Sequence, residues 1–123
     1  MADFPQYRDL PVWSGDALRV PLAFTVLDGA GARQPLDLTG AQVTFSVEWA
    51  DGGLSKSWPG DGGILVPDPA AGALVLTATP EETLALPIGA RARFSLARTI
   101  AGAPDTLLYG RLIVSKWGNH GIG

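Results

Sequence analysis

The chain has no cysteine and a single histidine, which removes most of the side chains that carry covalent or metal chemistry. Without thiols there is no disulfide, no thiolate nucleophile and no thiolate metal site, a composition that fits synthesis in a reducing cytoplasm. The histidine, His120, stands in the glycine-bracketed run Gly118-Asn119-His120-Gly121, where a solvent-exposed imidazole is expected and no catalytic or metal role is assigned. Charged residues make up only 17% of the chain and the net charge is −3, so the basic surface on which nucleic-acid binding rests is missing. No apolar stretch approaches the roughly 18 to 20 residues of a membrane helix. The segment from Met1 to Leu10 has neither the basic start nor the hydrophobic middle of a secretion signal. Neither nucleic acid nor membrane is therefore expected as a partner.

What is present is the material for one core. A length of 123 residues matches a single domain, and 46% apolar residues suffice to offset the ordering entropy of a folded chain. Sixteen glycines and ten prolines are scattered without a repeat, so they punctuate many short elements, which favours β structure.

Alternation gives the strands. Ala41, Val43, Phe45, Val47 and Trp49 alternate with Gln42, Thr44, Ser46 and Glu48, the pattern of a half-buried strand, and Asp51-Gly52-Gly53 turns the chain into Leu54 to Trp58. Residues 17 to 27 repeat the pattern with Leu18, Val20, Leu22, Phe24 and Val26 on one face; Pro21 cannot donate to a ladder and so places this strand at a sheet edge or a bulge. Ile64 to Val66 and Ala73 to Thr79 read as antiparallel neighbours around the turn-rich run from Pro67 to Gly72. Ala90 to Arg98 and Thr106 to Val114 read as a final hairpin across Ala101-Gly102-Ala103-Pro104-Asp105, and Tyr7 to Trp13 as a weaker first strand. One helix is expected near residues 80–86: Thr79 caps, Pro80 opens the first turn, Glu82 completes a capping box and Pro87 stops it, with Leu84 and Leu86 placed to cover an open end of the core.

The fold predicted from these elements is all-β, a two-sheet antiparallel β-sandwich of Ig-like, Greek-key type with seven or eight strands and one short connector helix; a small barrel is the alternative. The organisation expected is one domain over residues 1–123, with an N-terminal arm of about residues 1–14 and a C-terminal tail of about residues 115–123. Short terminal segments of this kind are good places for contacts with a neighbouring subunit.

The residue types give no catalytic constellation, and the protein is not expected to be an enzyme. The only histidine lies in the tail, and the carboxylates Asp28, Glu48, Asp51, Asp61, Asp68, Glu81, Glu82 and Asp105 stand mostly beside Gly or Pro, where they form turns. The calcium-loop pattern is absent, and no glycine pair precedes the helix that a phosphate-binding loop requires, so neither metal nor cofactor is expected. Binding features remain. Trp49 belongs to an apolar strand face, whereas Trp13, Trp58 and Trp117 sit at element ends, where an indole caps a core, anchors a protein interface or stacks on a sugar. Arg91, Arg93 and Arg98 form a basic stripe on one strand, with Arg111 on the next; this is either a solvated face or a docking surface for an acidic neighbour. The candidate interface is thus Trp13, Trp58, Arg91, Arg93, Arg111, Trp117 and His120.

The run Asp37-Leu38-Thr39-Gly40-Ala41-Gln42-Val43, the Asp68-Pro69-Ala70-Ala71-Gly72 turn before Leu74-Val75-Leu76-Thr77, the Leu86-Pro87-Ile88-Gly89 stop and the closing Gly110-Arg111-Leu112-Ile113-Val114 together resemble small β-sandwich virion proteins of tailed bacteriophages. The likeness is to the N-terminal domain of baseplate upper proteins and related fibre-anchoring modules, over about residues 15–115. It implies a structural component of a virion, at the tail, baseplate or capsid, that docks on other virion proteins, forms homo-oligomers and anchors a fibre or spike. No catalytic residues come with it. The chain departs from longer members in having no helical linker or receptor-binding domain after the sandwich, which points to an adaptor or fibre base. A carbohydrate-binding sandwich is the competing expectation.

Overall fold

The structure, a computed structural model, describes residues 5–60 and 62–116. In chain order the strand segments are β1 (Gln6–Tyr7), β2 (Leu10–Trp13), β3 (Leu18–Ala23), β4 (Thr25–Leu27), β5 (Arg33–Pro35), β6 (Gln42–Trp49), β7 (Gly52–Trp58), β8 (Ile64–Asp68), β9 (Ala73–Ala78), β10 (Gly89–Ile100) and β11 (Ala103–Ser115). A 3-10 turn at Pro69–Ala71 joins β8 to β9, and helix α1 (Pro80–Leu84) leads from β9 to β10. The protein is therefore mostly β. The segment count exceeds the seven or eight expected because two runs are broken, the first strand at Arg8–Asp9 and the second at Phe24, and because β5 stands where no strand was expected.

A six-stranded sheet runs β1-β11-β10-β6-β7, with β2 also on β11, and a three-stranded sheet runs β3-β9-β8. The β4–β5 ribbon extends the smaller sheet, as Phe24 N donates to the Gly72 carbonyl and Leu36 N to the Phe24 carbonyl, both at 2.9 Å. One core lies between the sheets: Leu10, Val43, Phe45, Phe94, Leu96 and Leu112 from the larger meet Leu22, Ile64, Leu74 and Leu76 from the smaller. The alternation read from the sequence explains this burial, since odd residues of β6 and even residues of β10 face inward. Pro21 does stand on an edge strand, β3, which pairs only β9.

Three sequence expectations need correction. The weaker first strand expected from Tyr7 to Trp13 is present, as residues 6–13 pair with β11 and bury Leu10 and Val12. This pairing is parallel, so the larger sheet is mixed rather than wholly antiparallel. The hairpin turns are also tighter than expected, with only Ala101 and Gly102 between β10 and β11, and only Ala50 and Asp51 between β6 and β7. Both Ala101 and Gly102 have positive φ, 53° and 80°, which matches the twist of a two-residue hairpin. Finally, Leu86 covers the core but Leu84 points out and is 67% exposed. On a helical turn it is the residue three before Leu86, Thr83, that shares its face. Thr83 is fully buried and its hydroxyl is satisfied: it accepts from Gly15 N at 3.0 Å and donates to the Asp16 carbonyl at 2.8 Å, tying α1 to the turn between β2 and β3.

The break at Arg8–Asp9 is seated by β11. Arg8 N donates to the Tyr109 carbonyl at 2.9 Å, and Arg111 N donates to Asp9 Oδ1 at 3.1 Å, so a side-chain carboxylate takes a place in the ladder. Gly110 lies beneath this crossing, and a Cβ there would collide with the Arg8 carbonyl oxygen. Gly110→Ala should therefore lower stability by about 1–3 kcal/mol, the usual cost of overpacking. Gly29→Ala, at a position with open space and no positive φ, should stay within about 0.5 kcal/mol of the parent. Urea unfolding of the two variants checks this, and equal stability would refute the seat.

The capping box at α1 forms as expected: Glu82 N donates to Thr79 Oγ1 at 3.2 Å and Thr79 N to Glu82 Oε1 at 2.8 Å. The same carboxylate takes Lys56 Nζ on both oxygens, at 2.7 and 2.6 Å, pinning β7 to the connector. Burial raises the Glu82 pKa, but the Lys56 hydrogen bond and charge together with the Thr79 amide outweigh it and hold the carboxyl below its ordinary 4.5. A depressed carboxyl stabilises the fold above the unfolded-state pKa, and that contribution fades as pH falls through the folded value. Glu82→Gln should thus be less stable than the parent near neutral pH, with the gap closing below the ordinary value of 4.5. Thermal unfolding of both proteins across this range measures it; a constant gap would count against the assignment.

Candidate binding face on the larger sheet

The outward residues of the larger sheet line up in rows, because each strand contributes every second residue to that face. One row crosses Tyr7, Tyr109, Ser95, Ser46 and Ser55, and every neighbour in it is a register pair. The adjacent row holds Arg111, Arg93 and Glu48, again directly paired across β11, β10 and β6. Arg91 stands two residues before Arg93 on the same face of β10. Together the rows frame an open groove of about 930 Å³ whose floor is the serines and the backbone of Gly53 and Gly110. A second groove of about 600 Å³, beside Trp49 and Pro87, shares Arg93 and Arg111 and adds Arg91.

The two tyrosines close one end. Their rings meet edge to face at 5.2 Å and 82°, and both are substantially exposed, Tyr7 at 56% and Tyr109 at 43%. Asp9 accepts a hydrogen bond from the Tyr7 phenol, which together with partial desolvation and the Asp9 charge holds that phenol above its ordinary 10.0. Asp9 thus fixes both Tyr7 and the backbone of Arg111 at the groove rim.

The electrostatics are lopsided in a specific way. Arg93 and Arg111 are directly opposite each other on neighbouring strands, an arrangement that costs stability because like charges face at about 4.5–5.5 Å between Cβ atoms. Glu48 sits across from Arg93 on the other side, yet among the described residues the ion pairs are Lys56–Glu82 and Arg98–Asp105, and neither engages Arg91, Arg93 or Arg111. Among the described residues, then, none of these three guanidiniums is in an ion pair, and a guanidinium presents a fork of donors that matches a carboxylate.

Of the residues singled out in the sequence, Arg91, Arg93 and Arg111 come together on this face. Arg98 does not belong with them: five residues beyond Arg93 it falls on the opposite face, opposite Val43, and its guanidinium reaches Asp105 at 3.3 Å. Trp58 packs half-buried against the core, the core-cap reading of a strand-end indole. Trp13 is 38% exposed and lines a separate groove with Asp16 and Arg19. Trp117 and His120 lie outside the described residues. Sequence reading missed Tyr7, Tyr109 and the serine row. Tyr109 was visible as the outward residue between Leu108 and Gly110, but its pairing with Tyr7 depends on a parallel register that no local pattern announces. Among the described residues no group of three His, Asp or Glu side chains is placed to hold a metal ion.

No protein-family model matches this chain, and no curated protein shows significant similarity to it.

Because Arg111 faces Arg93, replacing it with an uncharged β-former should relieve repulsion. Arg111→Thr is expected to raise stability by about 0.2–1 kcal/mol at low salt, with the gain shrinking as ionic strength rises. Chemical unfolding at two salt concentrations measures this, and a salt-independent loss would show that the pair is not under repulsion.

Proposed function

We propose that this protein is a non-enzymatic structural component of a phage or phage-like particle, an adaptor or base that docks on other virion proteins and anchors a fibre or spike. The observation that carries the reading is the exposed face on which Arg91, Arg93 and Arg111 stand beside the Tyr7–Tyr109 pair. Arginine and tyrosine are the residue types enriched where proteins dock; here Arg91, Arg93, Tyr109 and Arg111 project from the two long central strands, and Tyr7 from the short edge segment β1 beside them. Such a placement fixes their spacing, which suits a domain that must hold a neighbour in one orientation.

The sandwich itself supports an Ig-like, Greek-key assignment. The last strand is flanked by the first strand and by β10, with β6 and β7 beyond, while β3, β9 and β8 form the other layer, an order compatible with the variable type of that architecture. Homo-oligomerisation and residence in the virion belong to the same proposal.

The test is made on particles. Mass spectrometry of purified particles from cells that encode the chain should find it at a fixed ratio to the tail or capsid proteins. A charge reversal, Arg93→Glu with Arg111→Glu, should leave the folded protein in the lysate but deplete it from particles by about tenfold or more, the scale expected when a charged docking pair is reversed. Absence of the parent protein from particles overturns the proposal.

A further inference from the structure

We infer that the groove on the larger sheet takes an extended acidic segment of a partner protein, with two carboxylates at alternate positions followed by an apolar or aromatic residue two positions on. The inference rests on the docking role proposed above and names the chemistry of the docked partner.

Two guanidiniums directly opposite each other on β10 and β11 repel, and an anion between them reverses the sign of that interaction. Glu48 already occupies the far side of Arg93, on β6. It repels an incoming carboxylate there, so the anion is confined laterally to the line over β10 and β11.

Arg91 and Arg93 are two residues apart on β10 and line one groove with Arg111, Arg91 standing where the ladder to β11 shifts register between Gly89 and Ala92. An extended peptide laid along β10 presents alternate side chains to the face, so a carboxylate at its third position falls over the Arg93–Arg111 pair and one at its first position is directed to the Arg91 end of the groove. One further step of two residues along the sheet reaches the row of Ser95 and Tyr109. There the edge-to-face Tyr7–Tyr109 pair offers an exposed aromatic surface to the fifth side chain. In that row the side chains beside the tyrosines, Ser95, Ser46 and Ser55, are small, which leaves room for the segment over the sheet.

Recognition on this face has to run through side chains. The larger sheet meets the segment with its face, where backbone groups are already paired within the sheet, so strand addition is not the mode and affinity depends on the charge-assisted contacts.

The experiment uses the purified full chain and fluorescently labelled heptapeptides with glutamate at the second and fourth positions and phenylalanine at the sixth. The same peptide in reverse order, and a version with glutamine for glutamate, complete the set, read by anisotropy at low salt. One orientation of the acidic peptide should bind. Binding should weaken by at least about tenfold for the glutamine peptide and for Arg93→Gln or Arg111→Gln, as expected for a lost charge-assisted hydrogen bond. Tyr7→Ala should weaken it less, and Arg19→Gln, on β3, should leave it unchanged. Circular dichroism and thermal midpoints confirm that each variant is folded. Equal binding of the glutamine peptide, unchanged affinity in the arginine variants, no binding of either acidic peptide, or preferential binding of a uronic-acid oligosaccharide overturns the inference. Peptide binding by a protein absent from particles sinks the particle reading and keeps this one. Incorporation into particles without peptide binding does the reverse.

Discussion

Leu10 and Val12 reach the core only because residues 6–13 run parallel to β11 in one register, kept across the break at Arg8–Asp9. The closeness of that approach depends on Gly110, whose missing side chain admits the Arg8 carbonyl, and on Asp9, whose carboxylate stands in for a backbone acceptor. The same register brings Tyr7 against Tyr109 and sets Asp9 beside Arg111. A constraint that closes one edge of the sandwich therefore also builds one end of the binding face. Burial and site geometry cannot be varied independently here, because a shift of one residue along β11 would reverse which side chains face the core.

At the other side of the molecule, two polar clusters fasten the connector that carries the chain from the smaller sheet to the larger. Thr83 holds the turn between β2 and β3 through Gly15 N and the Asp16 carbonyl, and Glu82 holds β7 through Lys56. A helix of five residues has too few internal hydrogen bonds to stand alone. It persists because its polar side chains complete bonds that neighbouring segments lack. The buried hydroxyl of Thr83 is inexpensive because its acceptor and donor are both matched, by Gly15 N and by the Asp16 carbonyl.

Strand alternation was legible in the sequence wherever one face is buried and the other wet. The inward sets of β6 and β10, the capping box at Thr79 and Glu82, and the edge position of Pro21 follow from local pattern and local chemistry. The arginine cluster was partly legible, because Arg91 and Arg93 share a parity and Arg111 lies on the next strand of a hairpin. Arg98 shows where that reasoning slipped: five residues from Arg93 is an odd interval, so period two sends it to the opposite face. The parallel pairing of the first strand was not legible. Parallel partners are separated by most of the chain and share no turn, so nothing nearby in sequence records which strand the first one joins. Leu84 misled because hydrophobicity alone does not fix which residue of a single helical turn faces inward, and the polar Thr83 won that place through its hydrogen bonds.

The position of the repelling arginines carries the remaining step. β10 pairs on both sides, with β11 and β6, and contributes Ala92, Phe94 and Leu96 to the core on its inner face. Such a strand has little freedom to move apart from its neighbour by bending, so the backbone positions from which Arg93 and Arg111 project are held side by side by the packing behind them. On an edge strand or a loop the same pair would separate and the repulsion would dissipate into local motion. Placed on the best-supported part of the sheet it persists, and a bound carboxylate is the interaction that removes it. The core thus acts on the face from behind: the burial that stabilises β10 also holds the backbone positions of Arg93 and Arg111 side by side, the feature on which the proposed recognition of an acidic segment depends.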